Sequence, residues 1–270
     1  MDMKEAPLQK KTKIPLIGLG TWRLNGKECE SIVSMSWDLG YRHIDTADLY
    51  ENHKAIGRSI RLLPREKLFL TSKIRFEDLE PKQVRAAVPR FLKELQTDYL
   101  DLLLIHWPNP EIDMAKTLEA MVKIQEKGMV RAIGVSNFAR YHLRQFAKFP
   151  IKVNQIEMHP YLQRKVLVSF CKKNGIGVVA YRPLAKGAFN EDPVLKEIGR
   201  AHSKTASQIA LRWLVQQDIV AIPKASDPKH LKANLNVFDF RLSQEDMTRI
   251  AQLDIGRRYC APLVVPYMED

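Results

Sequence analysis

Short apolar runs recur along the chain, separated by longer stretches in which apolar and polar residues mix. The run Leu102–Ile105 is apolar at every position, which is typical of a parallel strand that is covered on both faces. Eight segments are predicted as strands: Ile14–Trp22, Tyr41–Asp45, Leu68–Lys73, Tyr99–His106, Val130–Val135, Val153–Glu157, Gly177–Tyr181 and Ile219–Ile222.

Helices are predicted between these strands, where apolar residues return at helical spacing. Gly128 and Gly175 are expected to end two of them. Pro89 must either kink its helix or delay the start of that helix. The predicted helices are Glu28–Leu39, His53–Arg61, Lys82–Leu95, Met114–Glu126, Arg140–Phe146, Arg164–Asn174, Thr205–Gln216 and Pro228–Asn234, with a further one opened by Ser243.

The alternation of strands and helices predicts an α/β protein, a (β/α)8 TIM barrel that forms a single domain over residues 1–270. Sequential βα units give a parallel sheet, and eight such units close a barrel. Residues 1–13 are expected to form a tail or a short hairpin over the barrel floor. Residues 256–270 are expected to form a tail near the barrel mouth.

Length and cysteine content narrow the class of protein. The 270 residues suit one barrel domain of about 250 residues. Cys29, Cys171 and Cys260 form neither a disulfide framework nor a metal-ligand spacing, so we expect no metal and a reducing, cytoplasmic location. The N-terminus lacks the apolar stretch of a signal peptide, and Leu102–Ile105 is too short to span a bilayer. No membrane partner is therefore expected.

The net charge of +12 leaves two interpretations open. A positive surface attracts anions such as a dinucleotide phosphate, an acidic sugar or nucleic acid. Alternatively, the charge belongs to an ordinary solvated basic surface. The lysines and arginines are spread along the chain without a basic block or a nucleic-acid-binding motif, so no nucleic-acid partner is expected.

Polar side chains stand at the ends of three successive predicted strands. Asp45 ends the second strand, Lys73 the third and His106 the fourth. Tyr50 follows Asp45 in a loop that leads into a helix, for which Asn52 is the expected N-cap. The carboxyl ends of barrel strands all lie on the face that carries active sites, so these side chains are expected to converge.

The four side chains Asp45, Tyr50, Lys73 and His106, called the tetrad below, suit the protonation of a carbonyl oxygen. Free tyrosine has a pKa near 10, and a nearby ammonium is expected to lower it, so Lys73 would make Tyr50 more acidic. Asp45 would hold Lys73, and His106 would polarise or orient the carbonyl group. Singly, each residue also has an ordinary structural explanation, such as a core salt bridge; their joint position favours catalysis.

Seven motifs resemble those of the aldo-keto reductases and occur in family order over nearly the whole chain. They are GYRHIDTADLYENHKAIG, TSKI, LDLLLIHWP, GVSNF, NQIEMHPY, AYRPLAKG and IPKAS. The chain is most similar to the short bacterial members, the 2,5-diketo-D-gluconate reductases. The resemblance implies an oxidoreductase that reduces aldehydes and ketones with NADPH, with Tyr50 as proton donor. The rival is a non-catalytic NADP(H)-binding regulator, and the intact tetrad argues against it.

The resemblance also implies where the cofactor binds. The Gly18–Gly20 turn is not G-x-G-x-x-G, so a Rossmann site is not indicated, and NADPH is expected to lie across the barrel mouth. Ser136, Asn137 and Gln155 match the positions that bind the nicotinamide carboxamide, and Tyr181 matches the residue that stacks on the ring. The implied cofactor-binding residues are Gly20, Thr21, Asp45, Ser136, Asn137, Gln155, Tyr181, Pro183, Leu184, Lys224, Ser226, His230 and Asn234.

The adenosine end of this implied site departs from the family pattern. Lys224 and Asn234 stand where contacts to a 2′-phosphate are implied, but His230 replaces a frequent arginine and Asp227 adds a negative charge. Arginine can hold a phosphate by two parallel hydrogen bonds, and histidine cannot. NADPH is therefore the expected cofactor, with NADH also accepted. Arg182 replaces a frequent serine and is expected to change contacts to the pyrophosphate.

The resemblance implies a substrate pocket lined by Trp22, Tyr50, His106 and Trp107. Arg75 replaces a frequent tryptophan nearby, and two roles stay open for it: attraction of an acidic sugar, or exposure to solvent. The short loop 108–113 predicts a shallow, open pocket. Such a pocket favours small polar carbonyls, including 2,5-diketo-D-gluconate and methylglyoxal, over steroids. Members of this type are often monomers, and a monomer is expected.

Overall fold

The computed structural model describes residues 4–9 and 12–260, in which short strands and helices alternate. The strands are β1 Glu5–Gln9, β2 Thr12–Pro15, β3 Leu19–Gly20, β4 His43–Asp45, β5 Phe69–Ile74, β6 Leu100–Ile105, β7 Val130–Ser136, β8 Ile151–Glu157, β9 Gly177–Tyr181 and β10 Val220–Ala221. The helices are α1 Gly26–Leu39, α2 His53–Ile60, α3 Pro81–Leu95, α4 Met114–Glu126, α5 Arg140–Gln145, α6 Lys165–Lys173, α7 Pro193–His202, α8 Ala206–Val215, α9 Pro228–Leu235 and α10 Gln244–Ala251.

Strands β3 to β10 form one parallel sheet in chain order. A parallel bridge between Ile17 and Ala221 closes the sheet into a barrel, and the Gly18 amide donates to the Ala221 carbonyl at 2.9 Å. Helices α1 to α4 pack successively against one another outside the strands. The predicted single-domain (β/α)8 barrel is confirmed. Among the described helices, none has both the length and the apolar character needed to cross a bilayer.

The core lies between the strands and the surrounding helices. Every residue of β4, β5 and β6 is buried, because one face of each strand meets the barrel interior and the other meets helices. Ile44, Leu70 and Leu104 are at most 2% exposed in this layer. A polar group placed here must find a partner or be destabilising, which restricts how Asp45 and Lys73 can be accommodated.

An antiparallel hairpin precedes the barrel, with β1 paired to β2 so that Ala6 lies opposite Ile14. The predicted strand Ile14–Trp22 is therefore divided, since its start belongs to the hairpin and Leu19–Gly20 belongs to the barrel. At the other end, the predicted tail is described as far as Cys260, and residues 261–270 lie outside the described part of the chain.

Helix α7 is an addition to the predicted elements. No helix is predicted between Tyr181 and Thr205, yet α7 occupies part of this segment. Its start is a strong local signal: Asp192 accepts a hydrogen bond from the Leu195 amide at 2.9 Å, and Pro193 is the first helical residue. The Asp-Pro pair therefore marks the start of the helix, and Leu195 and Ile198 form its buried apolar face.

The predicted helix ends are largely confirmed. Gly128 and Gly175 follow α4 and α6 with φ of 76° and 68°. Ser243 caps α10, accepting from the Asp246 amide at 3.0 Å. Pro89 lies inside α3, which begins at Pro81, so the alternative of a delayed helix start is wrong.

Candidate active site

Three neighbouring strands bring the tetrad together at the barrel mouth. Asp45 is the last residue of β4, Lys73 precedes the last residue of β5, and His106 directly follows β6. Tyr50 ends a short 3-10 turn, residues 48–50, that follows β4. The four predicted residues therefore meet on the carboxyl-terminal face, as the strand positions require.

A buried asparagine fixes the loop that carries Tyr50. Asn52 occupies the N-cap position of α2 without making a side-chain cap. Instead, its amide nitrogen donates to the carbonyls of Thr21 and Leu24, each at 3.0 Å, and its oxygen accepts from Thr46 Oγ1 at 2.6 Å. Asn52 therefore stands at the predicted N-cap position but does not cap the helix, because its side chain forms hydrogen bonds with the loop after β3 instead.

Lys73 and Asp45 form a fully buried ion pair. The Lys73 ammonium donates to Asp45 Oδ1 and, at 2.8 Å, to the Thr46 carbonyl. Gln155 donates from the far side of the barrel to Asp45 Oδ2 at 2.7 Å, so both carboxylate oxygens have partners. Burial lowers the pKa of Lys73, but Asp45 and Tyr50 outweigh it and raise the pKa above its ordinary value. Lys73 is therefore charged at neutral pH.

Tyr50 stays protonated in this environment. The Lys73 ammonium lies 5.0 Å from the centre of its ring. Burial raises the pKa of Tyr50 and outweighs the opposing effect of Lys73. The expected net lowering of this pKa is therefore wrong, because desolvation of the phenolate is larger than the attraction to one ammonium. A protonated phenol is nonetheless the form from which a proton can be given.

His106 is neutral and close to Tyr50. Burial, followed by the charge of Lys73, lowers the pKa of His106 to about 3. Its ring centre lies 5.8 Å from that of Tyr50. A neutral imidazole can donate one N–H to a carbonyl oxygen without adding positive charge.

Apolar side chains border the tetrad. The Trp22 ring meets the Tyr50 ring edge to face, with centres 4.8 Å apart. Trp107 is half-buried directly after His106. Leu49 is not among the predicted site residues, but its side chain is 46% exposed beside Tyr50. An apolar residue in a polar loop is the sequence signal by which it could have been found.

The residues predicted to bind the nicotinamide form one hydrogen-bonded group. Ser136 Oγ donates to the Gln155 carbonyl at 2.8 Å, and Asn137 Nδ2 donates to Ser136 Oγ at 3.0 Å and to the His106 carbonyl at 3.1 Å. Tyr181 donates from its hydroxyl to Asn137 Oδ1 at 2.8 Å. Since Gln155 also binds Asp45, this group is continuous with the tetrad.

Two further predicted cofactor residues lie where β3 meets the tetrad. Thr21 is fully buried, and its hydroxyl donates to the Asp45 carbonyl at 2.9 Å. Gly20 is required here because a Cβ would lie 2.6 Å from the Ile222 carbonyl oxygen. Pro183 and Leu184 follow Tyr181 in the turn after β9.

The residues predicted for the adenosine end lie on the loop after β10 and on α9, and no hydrogen bond among the described residues joins them to the tetrad side chains. Lys224 Nζ donates to Ser226 Oγ at 3.1 Å. Asp227 caps α9, accepting from the Lys229 amide at 2.7 Å. His230 is exposed in the first turn of that helix, whereas Asn234, one turn later, is buried at 4% exposure.

Both arginine departures have partners within the protein. Arg182 donates to the Tyr259 carbonyl, so it holds the C-terminal tail. Arg75 Nε lies 2.9 Å from Asp48 Oδ2, and its Nη2 lies 3.5 Å from Glu51 Oε1. Arg75 is thus engaged in ion pairs, which neither of its two predicted roles included.

The fold agrees with comparisons to known proteins. The profile of the Aldo/keto reductase family matches residues 16–255, and the chain belongs to this family. It is therefore an oxidoreductase that acts on carbonyl groups, in a family that generally uses NAD(P)H. The resemblance drawn from the seven motifs is confirmed.

Similar proteins differ in the carbonyls or peroxides for which they are named. Glyoxal reductase of Bacillus subtilis (strain 168) is 40% identical over 252 residues, 91% of each chain. The 9,11-endoperoxide prostaglandin H2 reductase of Trypanosoma cruzi (strain CL Brener) is 38% identical over 260 residues, 93% of this chain and 92% of its own. A crystal structure of a provisionally named 2,5-diketo-D-gluconic acid reductase B gives a TM-score of 0.94 at 36% identity, covering 99% of this chain and 98% of that one.

Proposed function

We propose that this protein reduces small polar aldehydes and ketones to alcohols, with hydride from NADPH and a proton from Tyr50. The observation that supports this best is the position of Tyr50 beside Lys73, a fully buried ammonium held by Asp45. A protonated phenol next to a fixed cation suits proton donation to an oxygen on which negative charge develops.

Residues of the tetrad donate the proton and stabilise the charge that develops during the reaction. When bound, the nicotinamide supplies a hydride to the carbonyl carbon. Tyr50 gives its hydroxyl proton to the carbonyl oxygen, so that the substrate gains one hydride and one proton. Lys73 stabilises the phenolate left on Tyr50, and Asp45 keeps Lys73 in place. Neutral His106 orients the carbonyl oxygen by donating an N–H.

The polar residues beside Asp45 fit a nicotinamide carboxamide. Gln155 uses its Nε2 for Asp45, and its Oε1 accepts no hydrogen bond from the described residues, so it can accept from an amide NH2. Ser136 and Asn137 complete the polar wall, and Tyr181 offers a ring face for stacking. These residues would hold the cofactor's reactive end next to the tetrad.

We propose NADPH as the preferred cofactor, with NADH accepted. Lys224 supplies an exposed cation near the start of α9, which suits a 2′-phosphate. His230 cannot grip that phosphate in the manner of an arginine, and the Asp227 carboxylate already occupies the helix N-terminus. NADH has no 2′-phosphate, so its binding does not depend on these contacts.

Small uncharged dicarbonyls fit the mouth better than acidic sugars do. Arg75, which contacts the loop that carries Tyr50, is already paired with Asp48 and Glu51. The similarity to glyoxal reductase of B. subtilis points to the same substrate class. We therefore place glyoxal and methylglyoxal ahead of 2,5-diketo-D-gluconate, and propose a cytoplasmic monomer.

A substrate screen with purified protein tests this proposal. Oxidation of NADPH and of NADH is followed with glyoxal, methylglyoxal and 2,5-diketo-D-gluconate, and Tyr50→Phe serves as the control for contaminating reductases. We expect turnover of the dicarbonyls, faster with NADPH, and turnover by the variant that is lower by about 10²–10⁴-fold. Absence of turnover with every carbonyl would contradict the proposal, and preferential turnover of the acidic sugar would overturn the ranking of substrates.

A further inference from the structure

We propose that Arg75 is a positioning residue that clamps the turn carrying Tyr50 and so sets the Tyr50 hydroxyl against Lys73. This inference rests on the proposed role of Tyr50. It assigns to Arg75 and its partner Asp48 a function in the reaction although neither belongs to the tetrad.

The turn that carries Tyr50 has little stability of its own. It is a single 3-10 turn of three residues, with two backbone hydrogen bonds: the Tyr50 amide donates to the Ala47 carbonyl at 3.0 Å and the Glu51 amide to the Asp48 carbonyl at 3.2 Å. Such turns are short and have poor hydrogen-bond geometry. Leu49 is 46% exposed, so burial of that side chain does not secure the turn, and Glu51 leaves it with a left-handed φ of 55°. Contacts from outside must therefore fix the position of Tyr50.

Asp48 is the point at which the turn is anchored. Its carboxylate is buried at 3% exposure and accepts two hydrogen bonds from Arg90 of α3, at 2.7 and 2.9 Å. Arg75 Nε adds an ion pair at 2.9 Å from the same carboxylate. Burial raises the pKa of Asp48, but the charges of Arg90 and Arg75 outweigh it and hold this pKa below its usual range. The anchor is therefore ionised at neutral pH.

Arg75 also reaches both sides of Tyr50. Its Nη2 donates to the Asp48 carbonyl at 3.0 Å and lies 3.5 Å from Glu51 Oε1. It thus bridges the residues that begin and follow the turn, with Tyr50 between them. Arg75 lies two positions after Lys73 at the exit of β5, so one strand end holds both the cation beside the phenol and the clamp on its turn.

The charges of this cluster argue against a free anion site. Arg75 and Arg90 are matched by Asp48 and Glu51, with Glu94 3.8 Å from Arg90. A carboxylate substrate would have to displace Asp48 or Glu51 from Arg75. Displacing Asp48 would leave a buried charge without part of its compensation, which is costly.

The test replaces the clamp while leaving the tetrad intact. We expect Arg75→Met to lower kcat for methylglyoxal about tenfold, the loss of roughly one good charge-assisted contact. The KM for methylglyoxal and the affinity for NADPH should change less than about twofold, by the same reasoning that Arg75 acts through Tyr50 alone. Arg75→Lys should recover part of kcat. In a Tyr50→Phe background, Arg75→Met should add no further loss.

A matched control and a substrate-free measurement complete the design. Arg58→Met removes a more exposed arginine ion pair, with Glu30, between α1 and α2, and should leave kcat unchanged. Tyrosine labelled at the phenol carbon, with the Tyr50 resonance assigned from Tyr50→Phe, reports the turn directly by NMR. We expect Arg75→Met, and not Arg58→Met, to shift the Tyr50 resonance. The NMR measurement does not depend on turnover. It therefore tests whether Arg75 positions Tyr50 even if the proposed reaction is wrong.

Two results would overturn the clamp. One is an unchanged Tyr50 resonance in Arg75→Met. The other is a raised KM confined to an anionic carbonyl such as glyoxylate, with kcat for methylglyoxal unchanged, which would make Arg75 a substrate-binding cation instead.

Discussion

Replacing Lys73 by methionine removes the charge on which the proposed chemistry depends. A unit charge 5.0 Å from the Tyr50 ring centre is worth roughly 3 kcal/mol to a phenolate at an effective dielectric constant of about 20. That energy corresponds to about a hundredfold in rate. The same change leaves Asp45, at 1% exposure, with Gln155 as its one remaining side-chain donor among the residues that the structure describes.

The cost to folding is distinct from the cost to rate. Removing one partner of a buried ion pair destabilises by about 3–5 kcal/mol, against a typical total stability of about 5–15 kcal/mol. Asp45 reduces this cost by taking up a proton, since burial already raises its pKa. We therefore expect Lys73→Met to be folded but less stable, and about a hundredfold slower at neutral pH, by the dielectric argument above.

The assay combines steady-state turnover over a range of pH with urea unfolding and cofactor titration by fluorescence. Asp45→Asn is the companion variant, and it should be milder, because Lys73 keeps its charge and loses only its anchor. Overlay of the pH–rate profiles of the wild type and both variants would refute the linkage among Tyr50, Lys73 and Asp45.

Two further predictions concern acid stability and cofactor choice. Burial, aided by Lys73, lowers the pKa of both His43 and His106 to about 3, so these rings stay neutral in the fold at pH values where the unfolded chain binds protons. The free energy of unfolding should therefore fall as pH drops from about 6.5 toward 3, by up to about 1.4 kcal/mol per pH unit for each ring. A free energy from urea unfolding that does not change with pH over this range would contradict the prediction. His230→Arg should tighten NADPH binding about tenfold by adding a charge-assisted hydrogen bond and leave NADH unchanged; equal NADPH affinities by fluorescence titration would show that His230 does not face the phosphate.

The sequence predicts the parts of the barrel that depend on local pattern. Apolar strands such as β6 and helix ends such as Gly128 are set by nearby residues, so they are found from the chain alone. Helix α7 is absent from the predicted elements although its local signals are present: Leu195 and Ile198 form a buried apolar face, and Asp192 with the proline after it marks the start. The tetrad is predictable because strand ends share one face of a barrel.

The remainder of the site depends on residues far apart in the chain. Asp48 and Arg90 are 42 positions apart and meet because α3 packs beside the turn after β4, which no local pattern shows. The pKa of Tyr50 depends on how completely the fold excludes water, so the charge of Lys73 alone predicts its direction wrongly. Asn52 does not cap α2 because folding places the carbonyls of another loop, at Thr21 and Leu24, within hydrogen-bonding distance of its side chain.

The most direct test of the account is the Tyr50→Phe variant, measured for cofactor binding and for turnover in the same preparation. Removing the hydroxyl takes away the proposed proton while the ring continues to line the pocket against Trp22. We predict that NADPH affinity by fluorescence titration stays within about twofold and that kcat with methylglyoxal falls by about 10²–10⁴-fold, the usual contribution of a general acid. Retention of more than about half of the wild-type kcat would contradict the role of Tyr50 as proton donor, judged against that same range.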